Sequence, residues 1–303
     1  MSVDSPSRPL SHETPATERD LGITFAGGGN KAFYQYGLMR RWRARLLPRV
    51  RAVAACSAGA CVAALLLSGR ERQVEEFWRR RRGHVTRNFD WRLLLAGRSP
   101  MPHGRLYREL LLHAFSDGGF TRVRSQPFPL LILATAFPGP MPAPAAALLG
   151  LFAYTIDHGR RGEKTGPPFS QRAGFRPVVF DARRCASPEE LADLIIATSS
   201  TPPFTPVGRV RGRRLLDGGI INPAPSFLAE EVAGVRRSIT LLTAPPHGPS
   251  ARGAGRGLFI APSRALAVRA WDFTRPDLVE AAVELGERDS ELYDARLADY
   301  LGR

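Results

Sequence analysis

Two strand-to-helix units stand back to back near the start of this sequence, and they restrict the chain to a helix-flanked sheet. Gly22-Ile23-Thr24-Phe25-Ala26 is a short apolar run that ends in Gly27-Gly28-Gly29, the pattern of a buried strand entering a tight turn. Residues 31–47 then space Phe33, Tyr36, Leu38, Met39 and Trp42 among Arg and Gln, as an amphipathic helix does. Residues 51–56 repeat the strand, Ser57-Ala58-Gly59-Ala60 repeats the turn, and residues 61–67 begin an apolar helix. Alternation at this spacing predicts the α/β class, with a parallel sheet between helices.

The remaining elements fit that class. A basic helix is expected around Glu75 to Arg82, another helix over residues 107–115, and an apolar strand within 128–137. A strand at 177–181 precedes a helix from Pro188 to about Ala197, because Pro and acidic residues suit a first helical turn. Short strands follow at 214–216 and 238–243, then a Gly/Pro/Ser-rich loop at 245–257, and one or two surface helices over 277–301. Residues 1–19 carry Pro, Ser and charge with no apolar core, which reads as a disordered leader and not a signal peptide. Residues 20–303 read as a single domain, with 21–228 as the motif-bearing core and 229–303 as a C-terminal strand and helices.

Several function classes are disfavoured by composition and spacing. Cys56, Cys61 and Cys185 have neither metal-ligand spacing nor the even count of a disulfide framework, so no metal and a cytoplasmic setting are expected. The net charge of +15 points first to a polyanion such as nucleic acid. All basic residues except Lys31 and Lys164 are arginine, however, a skew that a GC-rich coding sequence produces by itself, and nucleic acid is not the expected partner. Residues 125–156 contain no charge, but Pro127, Pro129, Pro138, Pro140, Pro142 and Pro144 interrupt them, so no transmembrane helix is expected. The part from 143 to 156 can be read as an interfacial cap that touches a membrane peripherally, or as core helix and loop.

Three turns carry the chemistry. Ala55-Cys56-Ser57-Ala58-Gly59 has the small residues that let a strained strand-to-helix turn lift a serine hydroxyl into the open. Gly27-Gly28-Gly29-Asn30 can present backbone N–H groups to the negative charge that acyl transfer builds on a carbonyl oxygen. It matches neither the Rossmann nor the Walker glycine pattern. Leu216-Asp217-Gly218-Gly219-Ile220 places an aspartate at a strand end, whereas the similar Asp117-Gly118-Gly119 closes a helix-like segment.

In order and spacing the three turns resemble the patatin-like phospholipase family, of the bacterial serine acyl hydrolase type. Gly27-Gly28-Gly29-Asn30-Lys31 matches its oxyanion loop, Ala55-Cys56-Ser57-Ala58-Gly59 its serine elbow, and Asp217-Gly218-Gly219 its aspartate turn. Residues 197–204 match the alanine/serine, proline and phenylalanine stretch upstream of that aspartate. Ala32 and Ala55 stand where the family has glycine, which bears on the tightness of loop and elbow.

The resemblance implies a three-layer α/β/α sandwich with a mainly parallel central sheet. It also implies an enzyme without cofactor or metal, a carboxylic ester hydrolase acting on a lipid or other acyl ester. Ser57 would be the nucleophile and Asp217 the general base, with N–H groups of Gly27, Gly28, Gly29 and Asn30 around the oxyanion. Gly59, Gly218 and Gly219 would support the elbow and the turn.

Two other readings stay open. One is an α/β-hydrolase triad of Ser57, Asp217 and His247, whose chain order fits that fold. The other is a lipid-binding protein that kept the fold and lost turnover, motivated by Ala32 and Ala55. His12, His84, His103, His113 and His158 are read as surface or satisfied polar residues.

Overall fold

The computed structural model describes residues 19–95, 100–139, 141–159, 168–202, 205–245 and 257–302. The leader up to residue 18, Pro140, Pro203, Phe204 and residues 246–256 with His247 lie outside that set. The chain opens with β1 (Leu21–Phe25), α1 (Phe33–Leu46), β2 (Val50–Cys56) and α2 (Ser57–Ser68). Four helices follow: α3 (Glu71–Arg82), α4 (Trp91–Leu95), α5 (His103–Phe115) and α6 (Gly119–Arg124). After β3 (Leu130–Ala136) come α7 (Ala143–Gly159), α8 (Phe169–Arg172), β4 (Arg176–Asp181) and α9 (Pro188–Thr198). The chain continues through β5 (Gly208–Val210), β6 (Arg213–Leu216), β7 (Arg237–Leu241), β8 (Gly257–Ile260), α10 (Pro276–Leu292) and α11 (Asp294–Gly302).

Both faces of β1 and β2 are covered, which is why these strands read as continuous apolar runs. In β2, Val53 and Ala55 point into the larger core with α1, α2, α5 and α9, while Ala52, Ala54 and Cys56 join Leu228 and Ala229 on the opposite face. This alternation divides the molecule into helix, sheet and a second covering layer, the expected α/β/α sandwich. Strands β3, β2, β1, β7 and β8 run parallel in that order.

The sheet is mixed, however, beyond β3. Strand β4 pairs antiparallel with β3 from Leu131↔Asp181 to Ala136↔Arg176, and so occupies one edge of β3 along its length. The other edge is shared: β2 covers it up to Cys56↔Leu133, and β6 enters antiparallel at Thr135↔Leu216. Strands β2 and β6 therefore meet almost head-on across the position of Ala134. Strand β6 acquires its reversed direction from a two-residue hairpin after β5, where Arg211 (φ 48°) and Gly212 (φ 78°) both take the left-handed conformation. That geometry belongs to a tight hairpin turn. Arg-Gly is an inconspicuous sequence for it, so β5 was not expected; β8 was likewise hidden behind the Gly/Pro/Ser stretch.

The C-terminal helices are less superficial than their periodicity suggests. Helix α10 buries Val279, Ala282, Leu285, Gly286, Asp289 and Ser290. It crosses α1 at glycine contacts, since a methyl on Gly37 would lie 2.0 Å from the Val283 carbonyl oxygen and one on Gly286 2.1 Å from that of Tyr34. The polar periodicity marked one face; the glycines, silent in a hydrophobic pattern, mark the other.

Candidate active site

Ser57 is the first residue of α2 and has φ 52°, an uncommon conformation for a side-chain-bearing residue. Residues 57–60, expected as a turn preceding the helix, form the first helical turn itself. The sharp bend needs Gly59, where a methyl group would sit 2.4 Å from the Phe25 carbonyl oxygen and 2.6 Å from that of Ala26. The bend also buries the Ser57 N–H, which donates to Thr198 Oγ1 at 3.0 Å, and the Thr198 hydroxyl in turn donates to the Leu133 carbonyl. Thr198 thereby ties the elbow to β3 through the last residue of α9.

Asp217 leaves β6 straight toward this bend. Ser57 Oγ donates to Asp217 Oδ2 at 2.7 Å, and Thr201 Oγ1 donates to the same oxygen at 3.2 Å. The other carboxylate oxygen accepts the Gly219 N–H at 2.7 Å. The backbone is held as well, through Asp217 N to Ser200 O at 3.0 Å and Thr135 Oγ1 to Asp217 O at 2.8 Å. Gly218 is required by closeness, because a methyl there would stand 2.2 Å from the Leu133 carbonyl oxygen. Burial raises the Asp217 pKa to about 6; hydrogen bonds from Ser57, Gly219 and Thr201 pull the other way.

The glycine loop lies against both turns. The Pro223 carbonyl, six residues beyond Asp217, accepts from Gly27 N–H at 2.7 Å and from the Cys56 thiol at 3.2 Å. One carbonyl thus connects loop, elbow and aspartate turn. Gly28 (φ 150°) and Gly29 (φ 57°) then bring the chain close to Thr243 and to the Ala270 carbonyl. The Asn30 N–H donates to Ala270 O at 2.9 Å, and its side-chain amide donates to Arg269 O and Asp272 O. Gly27 and Asn30 therefore have their N–H groups engaged, and Asn30 anchors the 269–272 segment. The N–H groups of Gly28 and Gly29 have no acceptor among the described residues.

These residues border a cleft that is partly open to solvent. Gly29, Asn30 and Ser57 lie on one side of it, and Trp78, Tyr107, Leu110, Trp271 and Phe273 give it an aromatic and aliphatic lining. His103 also reaches this wall, buried, with Nε2 2.7 Å from the Trp271 carbonyl oxygen and its ring packed on Phe273. His113 stacks on Phe77 and His84 is exposed. Among the described residues no cluster of His, Cys, Asp and Glu could hold a metal ion. Ala32 and Ala55 are both fully buried, their methyl groups accommodated in the larger core.

Thr198 and Thr201 were not singled out from sequence, although both fall within the 197–204 stretch. Their type was the available signal, since hydroxyls beside a buried carboxylate and a strained N–H must have partners. The charge-free segment turns out to serve two roles. Strand β3 is core, whereas α7 buries Ala146, Gly150 and Ala153 against the Asp217 turn and exposes Leu148, Leu151 and Phe152. No helix among the described residues is long and apolar enough to cross a membrane.

A sequence model of the family described as patatin-like phospholipase matches residues 23–229. A search of curated proteins finds no matching sequence. Among solved structures, VipD from Legionella pneumophila is similar at 12% identity and a TM-score of 0.42, covering 92% of this chain and 67% of that one. Human GIVD cytosolic phospholipase A2 is similar at 10% identity and a TM-score of 0.37, covering 82% of this chain and 48%, about half, of its own. At such values neither likeness decides the role of any residue.

Proposed function

Since the chain belongs to the patatin-like phospholipase family, we propose that it is a lipid acyl hydrolase in which Ser57 attacks the ester and Asp217 serves as general base. The observation that carries this reading is the direct 2.7 Å hydrogen bond between Ser57 Oγ and Asp217 Oδ2, made by a serine held at positive φ. A carboxylate with a pKa near 6 is ionised at neutral pH and still basic enough to accept a proton during attack. Asp217 Oδ2 takes the Ser57 proton as Oγ bonds to the ester carbonyl carbon. The carbonyl oxygen gains the negative charge, which the N–H groups of Gly28 and Gly29, without an acceptor among the described residues, receive in this reading. Collapse expels the alcohol, which recovers the proton from Asp217 and leaves an acyl-Ser57. A water molecule deprotonated by Asp217 then releases the fatty acid and regenerates the serine.

The direct bond from serine to carboxylate disfavours a triad with His247, because a histidine relay would stand between these two atoms. Hydrolysis of p-nitrophenyl esters and phospholipid vesicles by wild type, Ser57→Ala, Asp217→Asn and His247→Ala separates the readings. Loss with the first two and retention with the third is expected. Loss with His247→Ala, in protein still folded, would refute the dyad. Fluorophosphonate labelling of Ser57 distinguishes an active site from a lipid-binding relic. We assign the whole of residues 20–303 to one catalytic unit, since β7, β8 and α10 complete the same sheet and core. The substrate ester is taken from a lipid surface, with which the protein makes peripheral contact.

A further inference from the structure

We infer that α7, together with the arginines beside it, is the surface by which this protein seats on an anionic lipid bilayer. The inference rests on the reading that the substrate is a lipid, and it names the part of the molecule that meets it.

Helix α7 has an inner and an outer apolar face. Gly150 lies at the centre of the inner one, so close that a methyl group there would be 2.8 Å from Ile220 Cδ1 and 3.6 Å from Leu216 Cδ1. Leu216 and Ile220 flank the Asp217 turn, so α7 sits directly behind it. The outer face carries Leu148 (72% exposed), Leu151 (54%) and Phe152 (56%) at i, i+3 and i+4, with Tyr154 beside them. A solvent-facing stripe normally holds the charges of an amphipathic helix, yet residues 143–156 contain none. The helix is 17 residues long and does not qualify as a membrane span; with its inner face packed on the protein, the outer face is the part that can meet a lipid surface.

The rim of this stripe is cationic. Arg172 ends α8, which packs on α7, and it is exposed. Arg176 follows Phe175, a member of the α7 core cluster, and is also exposed. Arg214 stacks on Phe137 at 4.7 Å and donates to the Met141 carbonyl just before α7 begins. None of the three pairs with a carboxylate among the described residues, unlike the arginines of α1, which meet acidic side chains of α3, α10 and α11. The acid at the end of the helix, Asp157, is turned inward to accept the Phe169 and Ser170 N–H groups. Exposed apolar side chains on a helix whose packing partners carry arginines that meet no carboxylate among the described residues match acyl chains beneath anionic headgroups.

Co-sedimentation of the full chain with vesicles tests this, in a Ser57→Ala background so that the lipid stays intact. Phosphatidylcholine vesicles with and without phosphatidylglycerol are compared. Leu148→Asp/Phe152→Asp is expected to weaken binding to phosphatidylglycerol vesicles at least tenfold. Arg172→Gln and Arg176→Gln are expected to cost about fivefold each there, from the usual contribution of one cation near an anionic surface, and nothing on phosphatidylcholine alone. With Ser57 restored, all variants should hydrolyse p-nitrophenyl butyrate at the wild-type rate. Unchanged sedimentation of the variants, or a parent chain that binds neither vesicle, overturns the inference. If the double variant misfolds, the two arginine variants decide the matter, because their side chains lie outside the packed core. A parent chain that binds as described but hydrolyses no ester would leave the docking surface standing and remove the hydrolase reading.

Discussion

Ser57 Oγ and Asp217 Oδ2 stand 2.7 Å apart because two strands reach one edge of β3 from opposite ends. Strand β2 stops at the register of Leu133 and turns sharply into α2; β6 stops at Thr135 and turns into the Gly218-Gly219 bend. The separation of 160 positions in sequence therefore matters less to their geometry than the one position on that edge of β3 left between β2 and β6. As both backbones are held by sheet pairing, the pair is organised before any substrate arrives, which is the condition for electrostatic and acid–base assistance without reorganisation.

The first consequence concerns pH and rate. With Asp217 as base, kcat/KM should rise with pH to a limb near 6 and stay level above it, because only the carboxylate form can take the Ser57 proton. A pH–rate profile on a soluble ester from pH 4 to 9 checks this. A limb in the usual histidine range that disappears in His247→Ala would assign the base elsewhere.

Thr201 should set where that limb falls. Its hydroxyl donates to the same Asp217 oxygen as Ser57 and favours the ionised form. Thr201→Val is expected to move the limb upward and to reduce kcat at pH 6 several-fold with a smaller effect at pH 8. Thr201→Ser should restore the wild-type profile. A uniform loss at every pH would indicate disturbed packing and not a changed base.

How much of this was legible in the sequence depends on the interaction involved. Ser57, Asp217 and Gly27 to Asn30 could be picked out because a strained bend and a close backbone approach demand small residues, and glycine and alanine are visible as letters. Their convergence was expected from motif order, but the agent of it, the antiparallel entry of β6, follows from a hairpin at Arg211-Gly212 that carries no strong turn signal. Likewise, nothing in the string Gly27-Gly28-Gly29-Asn30 separates free donors from committed ones. That division is imposed by Pro223 and Ala270, far away in sequence. The charge-free segment showed that apolar surface existed, and only packing could divide it between an inner and an outer face.

Stability should also report on the buried carboxylate. A folded-state pKa raised from 3.8 to about 6 means that the native state binds the proton more tightly than the unfolded chain. The stabilisation from this proton is complete below pH 3.8 and is lost as pH rises through about 6, a loss on the order of 3 kcal/mol by neutral pH. Asp217→Asn removes the ionisation, so its stability relative to wild type should increase between pH 4 and 6.5 and then level off. Thermal midpoints of both proteins across that range test it; a constant difference would mean that Asp217 is not perturbed in the native state.

Thr198 offers the sharpest separation of structure from chemistry. Its hydroxyl lies between the Ser57 N–H and the Leu133 carbonyl, and all three residues are buried. Thr198→Val keeps the shape and strands a buried donor and a buried acceptor, which costs about 1–3 kcal/mol per unsatisfied group. The strained φ of Ser57 loses its restraint at the same time, so the serine should relax away from Asp217. Because Thr198 reaches the reaction only through Ser57, kcat is expected to fall about tenfold or more, as small misplacements of a reacting group typically do, while KM changes little. Thr198→Ser keeps the hydroxyl and should recover most of kcat despite the lost methyl. If Thr198→Val lowered the thermal midpoint but left kcat intact, the elbow would be held by its glycines and strand alone, and the threonine would be a packing residue.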